Sequence, residues 1–459
     1  MKISVIGAGY VGLAVTASFA EVGHIVTCVD KDTEKIKLLR GGGIPIYEPL
    51  LQELVAQNLS KRTIEFSTDL DQAVKCSEII FITVGTPSNE EGGADLSAID
   101  AVAHGIGQYL DSYKLIINKS TGPVGTSSRI ANIIFGELAK RRLEGSGGSS
   151  VLFDVASNPE FMREGFATHD FLYPDRIIIG TGSQRAIDLM LKLYQPIIRK
   201  SFTIDPQSPS NNSPETLSVS PQTGEVVPTL ITDARTAEMI KYASNVFLAT
   251  KISFINEIGN ICKCLGLDVY QIAKGMALDH RIAPHFLEAG LGFGGSCLPK
   301  DTRALINMAK ALDYEPYLLN AVLEVNRKQP SRMVVLAKEK LGSLKGKRIG
   351  ILGLAFKKGT DDIRESVAIP LVNELLKEGA TVLVYDPKAM PNTRELLADK
   401  VLYAANAKDV INHADCVLII TDWDEFKDKN LYKGKVVIEG RRVLTEDERE
   451  GIEYEGLCW

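Results

Sequence analysis

Four glycines crowd into six residues, Gly290, Gly292, Gly294 and Gly295, and run directly into Ser296 and Cys297. Lys300 and Asp301 follow at once. Closely spaced glycines let backbone amides wrap an anion or a sugar. An ammonium beside a thiol lowers its pKa and favours the thiolate, which is the reacting species. A buried, inert side chain is the commoner fate of a cysteine. The glycine-rich, charged surroundings of Cys297 do not look like core, so it reads as a nucleophile.

A second constellation opens the chain. Gly7-Ala8-Gly9-Tyr10-Val11-Gly12 fits G-x-G-x-x-G, follows an apolar strand and opens a helix, and a second strand ends in Asp30. Gly7 permits the tight turn, Gly9 the approach of a pyrophosphate, and Gly12 close helix–strand packing. The helix amino end attracts phosphate, and Asp30 accepts from a ribose hydroxyl. A carboxylate there repels a 2′-phosphate and favours NAD over NADP, although Lys31 and Lys35 offset part of that repulsion.

Three further groups admit two readings each. The loops carrying Thr86 and Lys119-Ser120-Thr121 follow strands, where hydroxyls can meet a ligand or simply close turns. Glu160 and Glu164, four apart in SNPEFMREG, suit acid–base work or a helix start. Lys241 and Asn245 share one helix face. They are either solvated or, on a buried helix with Ala237, Ala243 and Ala249, require polar partners or a substrate.

These residues need a scaffold. The chain has 459 residues, which suggests two to four domains. Strands are expected at 2–6, 25–30, 63–66, 78–84, 114–118, 151–156, 176–179 and 201–204, with helices such as 11–22 and 49–58 between them. That alternation predicts a mostly parallel sheet with helices on both faces. Residues 140–150 read as a Gly/Ser-rich loop. Residues 205–228 hold five Pro, five Ser and no Lys or Arg, which predicts an exposed, mobile insertion. A long helix starts near Thr232 or Asp233 and stops at Gly266, and helices continue to about Lys340. Strands then recur at 348–352, 381–385, 401–403, 416–420 and 436–439. The expected architecture is α/β, with two Rossmann-like doubly wound domains joined by a long central helix and a helical middle. The expected segments are 1–204, 205–228, 229–340 and 341–459.

Composition excludes several classes. Hydrophobic residues make up 45% and charged residues 24%, so dominant disorder is ruled out. A net charge of −6 argues against sequence-independent nucleic-acid binding. No apolar run approaches the roughly 18 residues of a membrane helix, and no secretory signal opens the sequence. Seven scattered cysteines predict a reducing, cytoplasmic setting and no zinc site.

The motifs GAGYVGL, KSTGPVGT, SNPEFMREG, AEMIKYASNVFLATKISFINE, GFGGSCLPKD, GLAFKKGTDDIRES and VIEGRRV stand in one order along the chain. In that order the sequence resembles the UDP-glucose/GDP-mannose dehydrogenase family, end to end apart from 205–228 and 140–150. The resemblance implies NAD-dependent, four-electron oxidation of UDP-glucose to UDP-glucuronate in a homodimer or higher oligomer. Leu298 also suits the GDP-mannose branch, so GDP-mannose or a UDP-N-acetylhexosamine is the alternative. A catalytically silent sugar-nucleotide binder is disfavoured by the intact Cys297, Lys241 and Asp301.

Roles follow by resemblance. Cys297 is the covalent nucleophile, Lys241 stabilises negative charge on the substrate oxygen beside Asn245, and Asp301 orients Lys241 or a water. Thr121 and Glu160 assist the water and proton steps. The cofactor is expected around Gly7, Gly9, Tyr10, Val11, Gly12, Asp30, Lys35, Thr86, Thr121, Glu164, Lys300 and Arg364. The nucleotide-sugar is expected around Phe161, Met162, Arg163, Glu164, Lys241, Asn245, Arg281, Phe293, Gly294, Phe356, Lys357 and Arg441, with one Arg crossing from the other subunit.

Overall fold

The computed structural model describes residues 1–89, 91–143, 152–202 and 226–459. It divides into two compact units, Met1–Ala243 and Ser244–Trp459. The first is built on one sheet, with strands β1 (Lys2–Ile6), β2 (Ile25–Val29), β3 (Ile64–Ser67), β4 (Ile79–Ile82), β5 (Lys114–Asn118), β6 (Phe153–Ser157), β7 (Ile177–Gly180) and β8 (Thr229–Thr232). Their order is β3-β2-β1-β4-β5-β6-β7-β8. All pairs are parallel except β6–β7, which meet antiparallel at Ser157 and Gly180.

The apolar runs explain the layering. Ile79 and Phe81 pack into the core on one face of β4, and Ile80 and Ile82 into the core on the other. A strand covered on both faces needs a continuous hydrophobic run, as these have. The strand order reverses between β1 and β4, so their carboxyl ends open a crevice at the switch point. The Gly7–Gly12 turn and the Thr83–Thr86 loop lie at those ends.

Three expectations need correction in this unit. Of the strand expected at 201–204, Ser201 and Phe202 lie outside regular structure, and 203–204 fall outside the described residues. The last strand is β8, whose half-exposed residues give little hydrophobic signal. The insertion ends sooner than expected. Val227 is buried in the core and donates its N–H to Ile198 O (3.0 Å), while 205–225 lie outside the described residues. The loop expected from Lys140 begins later, because the helix Thr126–Leu143 runs through Lys140 with favourable bases in its last turn; 144–150 lie outside the described residues.

The long helix Ala234–Leu265 spans 32 residues and passes from the first unit into the second. Asp233 caps it by accepting from Thr236 N (3.0 Å), and Gly266, at φ +68°, follows its end. Ala237 and Ala249 are buried as expected, but Ala243 is exposed, so only one face is covered.

The second unit adds the helices Val269–Ala277, Leu298–Lys310 and Tyr317–Leu341 and a second sheet. Its strands are β9 (Arg348–Leu352), β10 (Thr381–Tyr385), β11 (Leu402–Tyr403), β12 (Cys416–Ile419), β13 (Val436–Glu439) and β14 (Glu453–Gly456). The order is β11-β10-β9-β12-β13-β14, parallel throughout. Both units are therefore doubly wound, Rossmann-like sheets. β14, rich in glutamate, carries no strand signal in the sequence.

Candidate functional site

The dinucleotide turn is built as its glycines require. Gly7 has φ +108°, and a Cβ on Gly12 would collide with Gly7 O. A Cβ on Gly9 would meet nothing within 4 Å, so that backbone faces open space. Gly9 caps the helix Tyr10–Glu21 with no side-chain hydrogen bond, and half-buried Tyr10 and Val11 form its first turn. Asp30 accepts from Ala8 N (2.9 Å), Asp32 N (3.0 Å) and Lys35 Nζ (3.0 Å). Burial opposes its charge, but these donors prevail and hold the carboxyl below its ordinary range. An uncapped helix end, an open backbone at Gly9 and a fixed carboxylate fit a dinucleotide. Lys35 serves here by fixing Asp30.

A second cluster lies at the ends of β4, β5 and β6. Thr86 donates to Thr121 O (2.6 Å) and so ties two of these loops together. Lys241 donates to Glu160 Oε1 (2.8 Å), with each side chain only 5% exposed. Glu160 Oε2 accepts from Met162 N (2.7 Å). Burial alone would raise the Glu160 pKa, yet Lys241, its hydrogen bond, the Met162 amide and Lys119 together lower it. The alternatives left open by the residue types are thereby resolved. Lys241 does not sit on a solvated face, and Glu160 is no helix-start residue, since the next helix is Ala167–Leu172.

The neighbours of Glu160 divide. Phe161 presents its ring to Arg176 (3.9 Å) and Lys241 (5.4 Å). Met162 is half-buried against the core, and Glu164 is half-buried. Arg163 is exposed and forks onto Asp170 (2.9 and 2.8 Å). Sequence reasoning missed two residues. Glu238 accepts from Gly125 N (2.6 Å), Ser127 N (2.8 Å) and Ser127 Oγ (2.7 Å), anchoring the long helix one turn before Lys241. Lys119 is buried, and desolvation pushes its pKa down to about 7, with Glu160 raising and Lys241 lowering it. Its place in KSTGPVGT beside Thr121 was the available signal.

In the second unit, residues 290–295 are buried. Gly290 N donates to Asn256 Oδ1 (2.7 Å), Leu291 N to Gly440 O (3.2 Å), Phe293 N to Asn326 Oδ1 (2.8 Å) and Gly295 N to Arg364 O (2.9 Å). These four amides, expected to be available to an anion or a sugar, are already held by protein acceptors. The glycines also serve close packing. A Cβ on Gly294 would collide with Glu365 O, and one on Gly295 would lie 2.7 Å from the Phe356 ring. Asn256 and Asn326 are the buried partners that the sequence did not announce.

This packed loop delivers Cys297, half-buried, to the N-cap of the helix Leu298–Lys310, with Asp301 N donating to Cys297 O (2.8 Å). Ser296 Oγ lies 3.5 Å from Cys297 Sγ. Helix amino ends favour thiolates. The Lys300 ammonium, expected beside the thiol or the cofactor, bonds to Asp301 Oδ1 (2.6 Å). Asp301 is fully buried and accepts from Asn245 Nδ2 (2.7 Å) with its other oxygen.

Of the expected sugar-nucleotide contacts, Arg441 donates to Gly292 O (2.6 Å) and Phe356 packs on the glycine loop. Half-buried Lys357 sits over the Phe356 ring at 5.8 Å. Exposed Arg364 forks onto Asp362 (2.9 and 2.6 Å). Arg281 is set apart, with its side chain 79% exposed and paired with Asp279 (2.5 Å). Among the described residues no cluster of three or more His, Cys, Asp or Glu could hold a metal ion. Among the described residues no helix is long and apolar enough to cross a membrane.

Comparison with known proteins gives matches along the whole chain. Three domains of the UDP-glucose/GDP-mannose dehydrogenase family match: the NAD binding domain over residues 1–198, the central domain over 235–328 and the UDP binding domain over 350–446. The UDP-glucose 6-dehydrogenase TuaD of Bacillus subtilis is 42% identical, over 99% of this chain and 92% of its own length. The UDP-glucose 6-dehydrogenase AglM of Haloferax volcanii is also 42% identical, over 100% of both chains. A UDP-glucose dehydrogenase structure from Pyrobaculum islandicum superposes with a TM-score of 0.88 at 39% identity, covering 100% of this chain and 98% of that one.

Proposed function

Because the chain belongs to the UDP-glucose/GDP-mannose dehydrogenase family and is an NAD-dependent nucleotide-sugar dehydrogenase, we propose that it oxidises UDP-glucose at carbon 6 to UDP-glucuronate through a covalent adduct on Cys297. UDP-glucose is the substrate in the names of both curated relatives. The observation that carries the covalent route is Cys297 at a helix amino end, on a backbone fixed by Asn256, Asn326, Gly440 and Arg364. A purely structural thiol needs no such placement.

Residues 1–204 hold NAD, with Gly9, Asp30 and Thr86 as contacts. NAD, when bound, accepts a hydride from carbon 6 in each of two oxidations. The substrate alcohol first loses a proton and a hydride and becomes an aldehyde. Lys241, its ammonium held by Glu160, stabilises negative charge on that oxygen. The Cys297 thiolate then forms a C–S bond to the aldehyde carbon, giving a thiohemiacetal. Loss of its hydroxyl proton and of a second hydride, taken up by NAD, leaves a thioester. Water, positioned by Thr121 and Glu160, adds to its carbonyl; the C–S bond breaks and the carboxylate leaves. Asp301 keeps Asn245 and Lys300 in place. Residues 341–459, with Lys357 and Arg441, hold the nucleotide.

The chain acts as a dimer, with its interface within 229–340. Exposed Phe247, Phe254 and Ile261 recur every seventh residue along the long helix and support this. Arg281, exposed in its own subunit, reaches the partner's substrate. NADH formation across a panel of UDP-glucose, GDP-mannose and UDP-N-acetylhexosamines tests the function. UDP-glucose should give the highest kcat/KM, and a clear preference for another sugar would reject the assignment.

A further inference from the structure

Asn118 and Ser157 pair at the carboxyl ends of β5 and β6. The next residues on each strand are Lys119 and Asn158, and their loops continue to Thr121 and Glu160. Lys119 Nζ donates to Asn158 Oδ1 (2.9 Å) and approaches Asn158 O (3.4 Å). Asn158 is itself locked: its Nδ2 donates to Ile178 O (2.8 Å), and its Oδ1 also accepts from Tyr194 OH (2.6 Å). The Phe171 ring lies 5.5 Å from the ammonium. We propose that Lys119 is a positioning residue for the reaction, which clamps the Thr121 loop to the Glu160 loop and sets a second cation beside the Glu160–Lys241 pair.

A clamp alone would not call for lysine. A neutral amide could donate to Asn158 without the cost of burying an ammonium. Among the described residues the Lys119 ammonium has no carboxylate within salt-bridge reach. The charged and titratable groups facing it are Glu160 on its loop, Lys241 on the long helix and, across Asn158, the Tyr194 phenol. When both lysines are protonated, the Glu160 carboxylate pairs directly with Lys241 alone and acts on the Lys119 ammonium only through space. The buried site then carries an excess positive charge, suited to an oxygen that becomes negative. Desolvation brings the Lys119 pKa to about 7, so the excess charge is present below that pH and lost above it.

The proposal rests on the reading of Thr121 and Glu160 as reaction residues, and two measurements separate the two claims. The first is kcat and KM across roughly pH 6 to 9 for wild type, Lys119→Met and Lys119→Arg. Lys119→Met should lower kcat about tenfold to a hundredfold, with KM for NAD nearly unchanged. Both variants should lose an inflection in kcat that wild type shows near neutral pH, because methionine never carries the charge and arginine never loses it. The second is NMR of 13Cε-lysine protein, which follows the Lys119 ammonium whether or not the enzyme turns over. Its titration should fall near pH 7 in wild type and lower still in Glu160→Gln, where an attracting charge is gone. A Lys119 titration in the ordinary lysine range, or an unchanged pH profile in the variants, overturns the proposal. If wild type oxidises no sugar of the panel, the reaction assignment fails and the NMR titration still decides on Lys119. If Lys119→Met does not fold, Lys119→Arg and the wild-type titration still decide.

Discussion

Asp301 shows how much one buried carboxylate can hold. It accepts from the Asn245 amide and the Lys300 ammonium, and solvent reaches none of it. Asp301→Ala leaves both donors without their acceptor, at a cost of about 1–3 kcal/mol for each orphaned group. Thermal unfolding should show a Tm several degrees lower, with turnover lost; an unchanged Tm would mean the donors find other partners. Asp30 sets a second expectation. Its carboxylate is fixed by Ala8, Asp32 and Lys35 where an adenosine ribose belongs, so kcat/KM should be much higher with NAD than with NADP. Comparable values would remove Asp30 from cofactor choice. At this scale the sequence exposed Cys297, Lys241 and Asp301 through residue type and motif, and it left their partners hidden. The Lys241–Glu160 contact joins residues 81 positions apart and Phe293–Asn326 joins residues 33 apart. Such pairings follow from strand order, which local spacing does not state.

Elements carry the next constraints. Gly9 and Gly12 lie in one turn but serve different ends. Gly9→Ala fits the ligand-free backbone, since nothing lies within 4 Å of the new Cβ; it should leave Tm nearly unchanged while weakening NAD binding. Gly12→Ala collides with Gly7 O and should lower both. Calorimetric titration and thermal melts read the contrast, and equal behaviour of the two variants would contradict it. Glu439, at the end of β13, accepts from Val443 N (3.1 Å), Leu444 N (2.9 Å) and Tyr454 OH (2.6 Å), shaping the turn that carries Arg441. Burial raises its pKa to about 7 against these bonds. Between its unfolded value near 4.3 and about 7, the folded state keeps a proton that the unfolded state has lost, so stability falls as pH rises through that window. Glu439→Gln should remove this loss, and its Tm relative to wild type should rise from about pH 5 to about pH 8. A constant difference would show that Glu439 does not titrate there. Strands were legible where both faces are buried, as in β1 and β9. Of the four edge strands, β3 and β11 were legible, whereas β8, half-exposed, and β14, which carries glutamates, were not.

Across the whole molecule, one architecture appears twice. Each unit is a doubly wound sheet, and the long helix begins in one unit and ends in the other. The repeat was legible because strand–helix alternation stops near 204 and resumes after 340. The exact joint at Val226–Thr229 was not, since Val227 is a single buried residue behind a polar stretch. Of the residues proposed for the reaction, Glu160 and Lys241 belong to the first unit and Asn245, Cys297 and Asp301 to the second. The central claim is that Cys297 captures an aldehyde and carries it to the acid. Its most direct test counts NADH formed per UDP-glucose consumed, for wild type and for Cys297→Ser. Wild type should form two NADH per sugar with no aldehyde released, and Cys297→Ser should lose turnover by orders of magnitude because the covalent step is gone. One NADH per sugar in wild type, or near-normal turnover in Cys297→Ser, would contradict the account.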